Sequence, residues 1–392
     1  MKTRFLLVIF AVIAVSAMAI ADGTSRSGGG PASHFGDGGS SSVVRGDLDG
    51  NSTACAQAAA RMLKSCRFEV KEEYHATVAK CINLGDSGER TDCLDGAAEA
   101  KEEDNEGCFD QKDARLDVCD MLEEDLYDPE PLTDDSIELI DPNDIGDSEL
   151  PNPYFSLEAG ITYVLRAGED FEETIVVHVT DEVHEVLGVD CRIVVDIVLL
   201  LEDGEYVAVE ATDDLYAQAD NGDVYYCGEV SRNYEDGLLD NLDGSFLAGL
   251  DWAKSGILIM ANPQAGIGHR QEYLLGEAED VIRYVGTMEA PSPAEGGENP
   301  DPDFSCAGNG GCVKTEEFIP PEPESGEFKY FLEGVGFVLG VGLEDGEVTG
   351  ERDELLCIGD SLDVLSEPDC GIVDLAGLEE ELCRLSSAFC DD

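Results

Sequence analysis

Residues 55–119 read CAQAAARMLKSCRFEVKEEYHATVAKCINLGDSGERTDCLDGAAEAKEEDNEGCFDQKDARLDVC, and their six cysteines decide how this part of the chain folds. Successive cysteines are 11, 15, 12, 15 and 11 residues apart, which is a palindrome centred on Ser87. In an antiparallel helical hairpin that turns near residue 87, residues equally far from the turn lie side by side. The spacing therefore predicts three nested disulfides: Cys55 with Cys119, Cys66 with Cys108, and Cys81 with Cys93.

The residues between the cysteines have the pattern of two helices. Apolar side chains and cysteines recur every three or four positions along the first half, as on one face of a helix. A turn at residues 85–88 is rich in glycine, and a second helix is predicted from about Thr91 to Leu126. The face of the second helix that carries its cysteines is more polar, so the hairpin has little apolar core. We expect the disulfides to stabilise it instead, each adding roughly 2–4 kcal/mol to the free energy of unfolding.

The beginning of the chain predicts export. Residues 1–21 contain Lys2 and Arg4, then an apolar run and small residues, as in a cleaved signal peptide. Residues 22–50 are rich in Gly and Ser and read as a disordered linker. The 14 cysteines fit disulfides in an oxidising compartment, so we expect a secreted or periplasmic protein.

The charge of the chain limits its partners. The 87 acidic residues outnumber the 23 basic ones and give a formal net charge of −64. Nucleic acid is excluded as a partner because phosphate contacts need Lys and Arg. Anionic membranes are excluded for the same reason, and no later segment is long and apolar enough to predict membrane insertion.

The rest of the chain divides by composition. Residues 127–153 contain many acids and prolines with no Lys or Arg, and are predicted to be an extended, solvated linker after the hairpin of residues 51–126. Residues 154–358 hold short β-branched runs separated by turn residues, which predict a mainly antiparallel β domain. Residues 359–392 form a cysteine-rich tail with a short helix capped by Asp374. The predicted fold class is α+β.

The remaining cysteines are only partly assignable. Cys306 and Cys312 flank a glycine-rich loop and are predicted to pair. Regular hairpin pairing would place Cys191 and Cys227 two strands apart, about 10 Å, which exceeds the ~7 Å limit for a disulfide. We therefore expect those two not to bond unless a bulge intervenes. The sequence leaves the pairing of Cys357, Cys370, Cys383 and Cys390 open.

Residues 152–358 carry a family resemblance. The matching segments are Asn152-Pro153-Tyr154-Phe155, Gly188-Val189-Asp190-Cys191-Arg192, Asp214-Leu215-Tyr216-Ala217-Gln218, Arg270-Gln271-Glu272-Tyr273, Gly276-Glu277-Ala278-Glu279-Asp280 and Lys329-Tyr330-Phe331. In these segments the chain resembles a family of uncharacterised exported bacterial β-proteins. The resemblance implies a curved, mostly antiparallel sheet, similar to the half-barrels of lipoprotein carriers. It departs at Cys227, where an aromatic residue is expected, and it implies no activity.

Candidate ligand residues come from the segments of resemblance. Arg270, Gln271, Tyr273, Glu279 and Asp280 combine charged, amide and aromatic groups that suit a binding pocket, and a buried ion pair explains them equally well. No catalytic residues are predicted. A secreted hydrolase with a site at the strand ends of the β domain is an alternative, and clustering of Arg270, Glu279 and His178 at a deep pocket would favour it.

Calcium is the cofactor that this composition favours, because calcium takes six to eight oxygen ligands. Asp47, Asp49 and Asn51, and later Asp220 and Asp223, are dense in such oxygens, although neither group completes an EF-hand loop. An acidic calcium-binding protein is therefore a second alternative. The main prediction is an exported, non-catalytic binding or scaffold protein whose partner is an apolar small molecule or another protein.

Overall fold

The computed structural model describes residues 53–123, 126–127, 130–147, 151–168, 171–202, 204–235 and 237–390. The predicted signal peptide and the Gly/Ser-rich linker lie outside these residues. The described chain consists of a helical hairpin, a large antiparallel sheet and a short C-terminal helix.

The helical hairpin has the predicted disulfides. Helices α1 (Ala54–Ile82) and α2 (Ser87–Met121) lie antiparallel and are joined by the three nested disulfides of the palindrome. Helix α2 begins earlier than predicted, because the Asp86 carboxylate accepts hydrogen bonds from the N–H groups of Gly88 and Glu89 and caps the helix there. The cysteine spacing alone thus fixed the pairing of the two helices.

In the described part of the chain, the sheet has fifteen strands. They are β1 (Thr162–Ala167), β2 (Glu173–Val186), β3 (Val189–Glu202), β4 (Glu205–Gln218), β5 (Val224–Glu235), β6 (Leu238–Asn241), β7 (Phe246–Leu247), β8 (Lys254–Ile259), β9 (Gly268–Arg270), β10 (Glu272–Tyr273), β11 (Val281–Glu289), β12 (Cys312–Phe318), β13 (Ser325–Leu332), β14 (Gly336–Glu344) and β15 (Glu347–Gly359). Strand β12 was not predicted, because its buried residues include the polar side chains of Lys314, Thr315 and Glu317 and so give no apolar alternation in the sequence.

The sheet is curved and nearly closes on itself. Its strands run in the order β10-β8-β5-β4-β3-β2-β1-β15-β14-β13-β12-β11-β9. The terminal strands β9 and β10 are separated in sequence by Gln271 alone. The short segment 268–273 therefore pairs with β11 at one end of the sheet and with β8 at the other, so that the two ends meet.

The curved sheet has different cores on its two faces. The inner face is filled by a large apolar cluster that includes Leu165, Val177, Tyr216 and Tyr284. The outer face of β3 and β4 is covered by helix α3 (Leu375–Leu385), which begins at the predicted cap Asp374. Disulfides Cys357–Cys370 and Cys383–Cys390 hold this C-terminal segment, and Cys306–Cys312 closes its predicted loop.

The exception allowed for Cys191 and Cys227 applies, because a bulge intervenes and these residues form a disulfide with a Cα–Cα distance of 6.7 Å. The prediction assumed regular pairing on both sides of β4. In the structure Leu215 pairs with Gly228 while Tyr216 pairs with Tyr226, so a β-bulge leaves Cys227 as an extra residue. A bulge bends its strand, and this bend places Cys227 within bonding distance of Cys191.

The acidic segment 127–153 is not a solvated linker. Its described residues pack on the sheet through the buried side chains of Leu132 and Ile145. The Tyr127 hydroxyl donates a hydrogen bond of 2.7 Å to the Ser255 carbonyl, and Arg192 donates one to the Pro142 carbonyl. The prediction from composition was wrong here, because a few buried apolar side chains are enough to attach a mainly acidic segment to the sheet. Among the described residues, no helix has the length and apolarity to cross a membrane.

Candidate functional site

The five predicted ligand residues lie on two sides of the segment that closes the sheet. Arg270 and Tyr273 line a small cavity beneath the hairpin, where Glu279 also lies. Gln271 lines a cavity inside the sheet instead, and its amide donates a hydrogen bond to the Leu258 carbonyl. Asp280 is buried on the inner side as well. The structure therefore brings three of the five together and separates the other two from them.

Glu279 connects the sheet to the hairpin. Arg115 of α2 donates hydrogen bonds to both carboxylate oxygens of Glu279, at 2.9 Å and 2.6 Å. The N–H of Gly276 donates a further hydrogen bond of 2.8 Å to Glu279. Arg115 and Glu279 are 6% and 1% exposed, so this is a buried, bidentate ion pair of the strong kind. We call it the Arg115–Glu279 clamp.

Arg115 was not among the predicted site residues, although the sequence contained a signal for it. Arg115 follows Cys108 by seven residues and precedes Cys119 by four. Those spacings put the arginine on the same helix face as the two cysteines. A charged side chain on the buried stripe of a helix needs a partner of opposite charge, and that partner lies in the distant loop that contains Glu279.

Arg270 is held between aromatic rings near the clamp. Its guanidinium lies 5.5 Å from the ring centre of Tyr127 and 4.9 Å from that of Tyr273, and the two rings are 4.8 Å apart. These are cation–π distances. The adjoining cavity has a volume of only about 60 Å³. Three of the predicted ligand residues thus pack together beneath the hairpin and leave little room for a ligand.

A larger groove lies between α2 and the sheet, with a volume of about 370 Å³. Ala114, Asp117 and Met121 of α2 form one wall. The rest is formed by Arg283 of β11, Glu316–Phe318 of β12, Ile319, residues 323–326, Leu343 and Gly346. We call this the hairpin groove. We call its apolar lining residues, Met121, Phe318, Ile319, Pro323 and Leu343, the floor, and its exposed carboxylates, Asp117 and Glu324, the rim. Arg283 on the rim already pairs with Glu316. The groove is in the size range of ligand sites.

The interior of the sheet holds a network of buried carboxyls. Its members are Asp196, Glu210, Asp214, Glu229, Glu272, Asp280, Glu317, Glu327 and Asp353. The Lys329 ammonium, 1% exposed, lies 2.7 Å from Glu317 and 3.5 Å from Glu327. We call this set the inner carboxyl network. Because burial of an unpaired carboxylate is costly, one ammonium cannot balance so many charges, and protons must neutralise part of the network.

A shared hydroxyl shows where one such proton lies. The Tyr226 hydroxyl lies 2.5 Å from an Asp214 oxygen and 2.7 Å from a Glu229 oxygen, and all three side chains are buried. A phenol has one hydrogen to donate. The second short contact therefore requires a proton on one of the two carboxyls.

Burial raises the pKa values of the network. It raises the pKa of Asp214 to about 7, against the opposing hydrogen bond from Tyr226. Burial likewise raises the pKa of Glu210 and of Glu327 to about 7, and the pKa of Asp280 to about 8. At neutral pH the folded interior therefore retains protons that exposed carboxyls would have released.

The remaining sequence candidates lie apart from the hairpin groove. The His178 ring packs 5.5 Å from that of Phe389 and hydrogen-bonds with the Thr162 hydroxyl, so it does not join Arg270 and Glu279. The Asp223 carboxylate accepts hydrogen bonds from the Ala261 N–H and the Asn221 amide.

The calcium prediction rests on two groups of residues. Asp47, Asp49 and Asn51 lie outside the described residues. Within the described chain, no group of three or more His, Cys, Asp or Glu side chains is arranged to hold a metal. Calcium binding by Asp220 and Asp223 stays a prediction.

Comparison with known proteins gives two distant structural neighbours. One is a protein from Bacteroides fragilis NCTC 9343 that is named as exported, with a YmcC-like fold; it has 14% identity and a TM-score of 0.28, over 54% of this chain and 98% of its own. Another, from Parabacteroides distasonis ATCC 8503, is named as a lipoprotein and has 11% identity and a TM-score of 0.27, over 53% and 99%. No family model matches the chain. No curated protein matches it either.

Proposed function

We propose that this protein is an exported, non-catalytic binding protein that holds a basic and apolar peptide segment of a partner protein in the hairpin groove. The observation that carries the proposal is the groove itself, which joins an apolar floor to a rim of carboxylates. An extended peptide with alternating apolar and basic side chains would satisfy both parts. The seven disulfides of the described chain agree with an oxidising compartment.

The groove has the rigidity that a binding site needs. Its helical wall is fixed to the sheet by the Arg115–Glu279 clamp and to α1 by disulfides. The end of α2 also packs closely on β9, where the Met121 and Leu122 side chains approach Gly268. A preformed site loses little conformational entropy when a ligand binds, which favours the groove as the site of capture.

The charge of the protein favours a cationic ligand. Asp117 and Glu324 are exposed on the rim and are free to approach Lys or Arg of a peptide in water. The formal net charge of −64 adds a long-range attraction for basic partners, which raises association rates more than final affinity. Specificity must then come from the apolar floor, because charge alone does not distinguish one basic peptide from another.

Two alternatives receive less support from the geometry. Clustering of Arg270, Glu279 and His178 would favour a hydrolase, but the His178 ring packs against Phe389 of the C-terminal segment, away from the other two. An apolar small molecule inside the sheet would need space, and the interior cavity bounded by Phe155, Phe331 and Phe337 has a volume of about 20 Å³. That volume suits about one water molecule.

Peptide binding tests the proposal directly. A short fluorescein-labelled peptide of alternating leucine and lysine is titrated with the full exported protein at physiological ionic strength, and fluorescence anisotropy is measured. We expect saturable binding. A leucine–glutamate peptide tests the acidic rim and a serine–lysine peptide tests the apolar floor, so both should bind much more weakly.

A matched pair of variants locates the site. The double variant Asp117→Asn/Glu324→Gln removes two rim charges and should weaken binding roughly fivefold, as expected for exposed ion pairs. The control Asp110→Asn/Glu102→Gln removes the same charges from exposed positions of α2 outside the groove and should have little effect. Equal losses in both variants, or tight binding of the serine–lysine peptide, would show that the protein attracts cations without using the groove.

A further inference from the structure

The single tryptophan of the chain is displayed at the tip of a strained turn. Trp252 is 91% exposed. It has a φ of 70° and the preceding Asp251 has a φ of 49°, so both central residues of the turn adopt the left-handed conformation. Such turns normally use Asn and Gly, and a bulky residue with positive φ is an outlier. Strain of this kind at an exposed apolar residue points to a function.

The turn is rigid despite this strain. The Ala253 N–H donates a hydrogen bond of 2.8 Å to the Leu250 carbonyl, and the Gly249 N–H donates one of 2.9 Å to the Ala253 carbonyl. Both ends are anchored by buried alanines, Ala248 and Ala253. The backbone of the tip is therefore anchored at both ends and presents the Trp252 side chain to solvent.

A second strained turn lies against the first. The β2–β3 hairpin turns at Leu187 and Gly188, with φ values of 53° and 89°. The Leu187 side chain packs so closely on Gly249 that a Cβ atom at position 249 would clash with it. Leu187 is still 45% exposed and Leu250 is 58% exposed. We call Leu187, Leu250 and Trp252 the tryptophan tip.

The tip stands on a cross-linked base. The Ala248 N–H donates a hydrogen bond of 3.0 Å to the carbonyl of Cys227, which is bonded to Cys191. Ala248 and both cysteines belong to one buried apolar cluster together with Val186, the residue before Leu187. The Cys191–Cys227 disulfide, which the bulge in β5 permits, thus joins the strands that support both turns.

The surroundings of the tip are acidic. Asp251 is exposed within the turn itself, and Glu185 and Asp190 are exposed directly opposite one another on β2 and β3. Like charges at opposite positions of a strand pair destabilise the pair. Basic side chains of a partner would relieve this repulsion, while an apolar pocket in that partner would accept Trp252.

We propose that the tryptophan tip is a protein-docking site, and that its partner is a protein with an apolar pocket surrounded by Lys and Arg. The arrangement matches a binding hot spot, in which a central aromatic residue carries most of the affinity and a rim of weaker contacts excludes water. This proposal does not depend on the hairpin groove, because the two sites use different elements of the fold.

A selection experiment tests the tip. A random-peptide phage library is selected on the full-length protein after depletion on the variant Trp252→Gly, and the enriched peptides are synthesised. Trp252 is the only tryptophan, so its emission reports binding directly when the peptides lack tryptophan. We expect enrichment of Lys or Arg beside aromatic or aliphatic residues, and a blue shift of the emission on binding. Binding to Trp252→Gly should weaken by at least about thirtyfold, as for a hot-spot residue.

The variants separate docking from folding. Glycine adopts positive φ readily, so Trp252→Gly should melt at an unchanged or higher temperature than the wild type while losing the peptide. Glu185→Gln/Asp190→Asn should weaken binding moderately and reduce its salt dependence. Asp117→Asn/Glu324→Gln, which alters the hairpin groove, should leave these peptides bound, so failure of one site is distinguishable from failure of the other.

Several results would overturn the docking proposal. One is that no peptide survives depletion on Trp252→Gly, and another is that the enriched peptides are acidic or uncharged. A dimer that sediments in the wild type and is absent in Trp252→Gly would mean that the tip binds a second copy of the chain. Binding to neutral phosphatidylcholine vesicles that requires Trp252 would mean that it binds lipid.

Discussion

In the hairpin, few side chains are buried: Ala59, Val70 and Cys81 on α1, and five residues including Arg115 on α2. The sheet instead encloses a continuous apolar core. The hairpin therefore depends on covalent bonds and one buried ion pair, while the sheet depends on burial. The sheet also encloses the inner carboxyl network, which the hairpin lacks among its described residues. The two regions should respond differently to reduction, to pH and to substitution.

The largest expected effect is a loss of sheet stability as pH rises. Burial raises the pKa of Asp214, Glu210 and Glu327 to about 7 and that of Asp280 to about 8. The folded state thus binds more protons than the unfolded chain across the range from about pH 4 to 8. The free energy of unfolding should fall with rising pH, by about 1.4 kcal/mol per pH unit for each retained proton.

Urea unfolding at pH 5, 6, 7 and 8 measures this effect. The variant Glu210→Gln replaces one carboxyl of the network with a neutral amide. The free energy of unfolding of this variant should therefore fall less steeply with rising pH, by the slope that one proton contributes. Glu102→Gln on the exposed surface of α2 is the control and should keep the wild-type slope. Stability that is constant or rises between pH 5 and 8 would contradict protonation of the interior.

The next effect concerns the contact between the two regions. The variant Arg115→Met leaves the Glu279 carboxylate buried without its partner, and should lower the free energy of unfolding by about 3–5 kcal/mol. The double variant Arg115→Met/Glu279→Leu removes both charges and should recover most of that loss. Chemical denaturation of the three proteins provides the measurement. Equal stability of Arg115→Met and wild type would mean that the clamp contributes little.

A disulfide of the hairpin should matter more than a disulfide of the tail. Cys66 and Cys108 are separated by 42 residues, whereas Cys383 and Cys390 are separated by 7. Loop-closure entropy gives about 4 kcal/mol for the first bond and about 2.5 kcal/mol for the second. Cys66→Ser/Cys108→Ser should therefore lose helical circular dichroism at a lower temperature than Cys383→Ser/Cys390→Ser. Loss of helix and sheet signals in one transition would show that the hairpin and sheet unfold together.

The smallest effect is a pair of glycine substitutions with opposite signs. Gly96 lies on the exposed side of α2 with open space around it, so Gly96→Ala should stabilise the hairpin by about 0.5–1 kcal/mol. Gly340 lies on β14 beneath the Glu327 and Asp353 carboxyls. Gly340→Ala would crowd them and should destabilise the sheet by roughly 1–3 kcal/mol. Thermal unfolding should show a higher melting temperature for Gly96→Ala and a lower one for Gly340→Ala. A higher melting temperature for both variants would show that a methyl group at position 340 does not crowd the two carboxyls.

The candidate site was only partly predictable. The resemblance singled out Arg270, Tyr273 and Glu279, which the structure brings together. It could not show that Gln271 faces the interior, because the direction of each side chain depends on how the segment pairs with both ends of the sheet. It did not indicate the hairpin groove either, since the groove combines residues from α2 and β12 that are far apart in sequence.

The sequence by itself determined the features that depend on local spacing. The cysteine palindrome gave the hairpin and its disulfides, because helical geometry relates sequence distance to height along the axis. Alternating apolar residues gave most of the strands, because side chains on a strand alternate between two faces. The tertiary structure alone decided the Cys191–Cys227 bond, the Arg115–Glu279 clamp and the inner carboxyl network. Each of these depends on a bulge, a contact or a burial that joins distant parts of the chain. A local pattern can mark one member, as the helix face of Arg115 does, but it does not identify the distant partner.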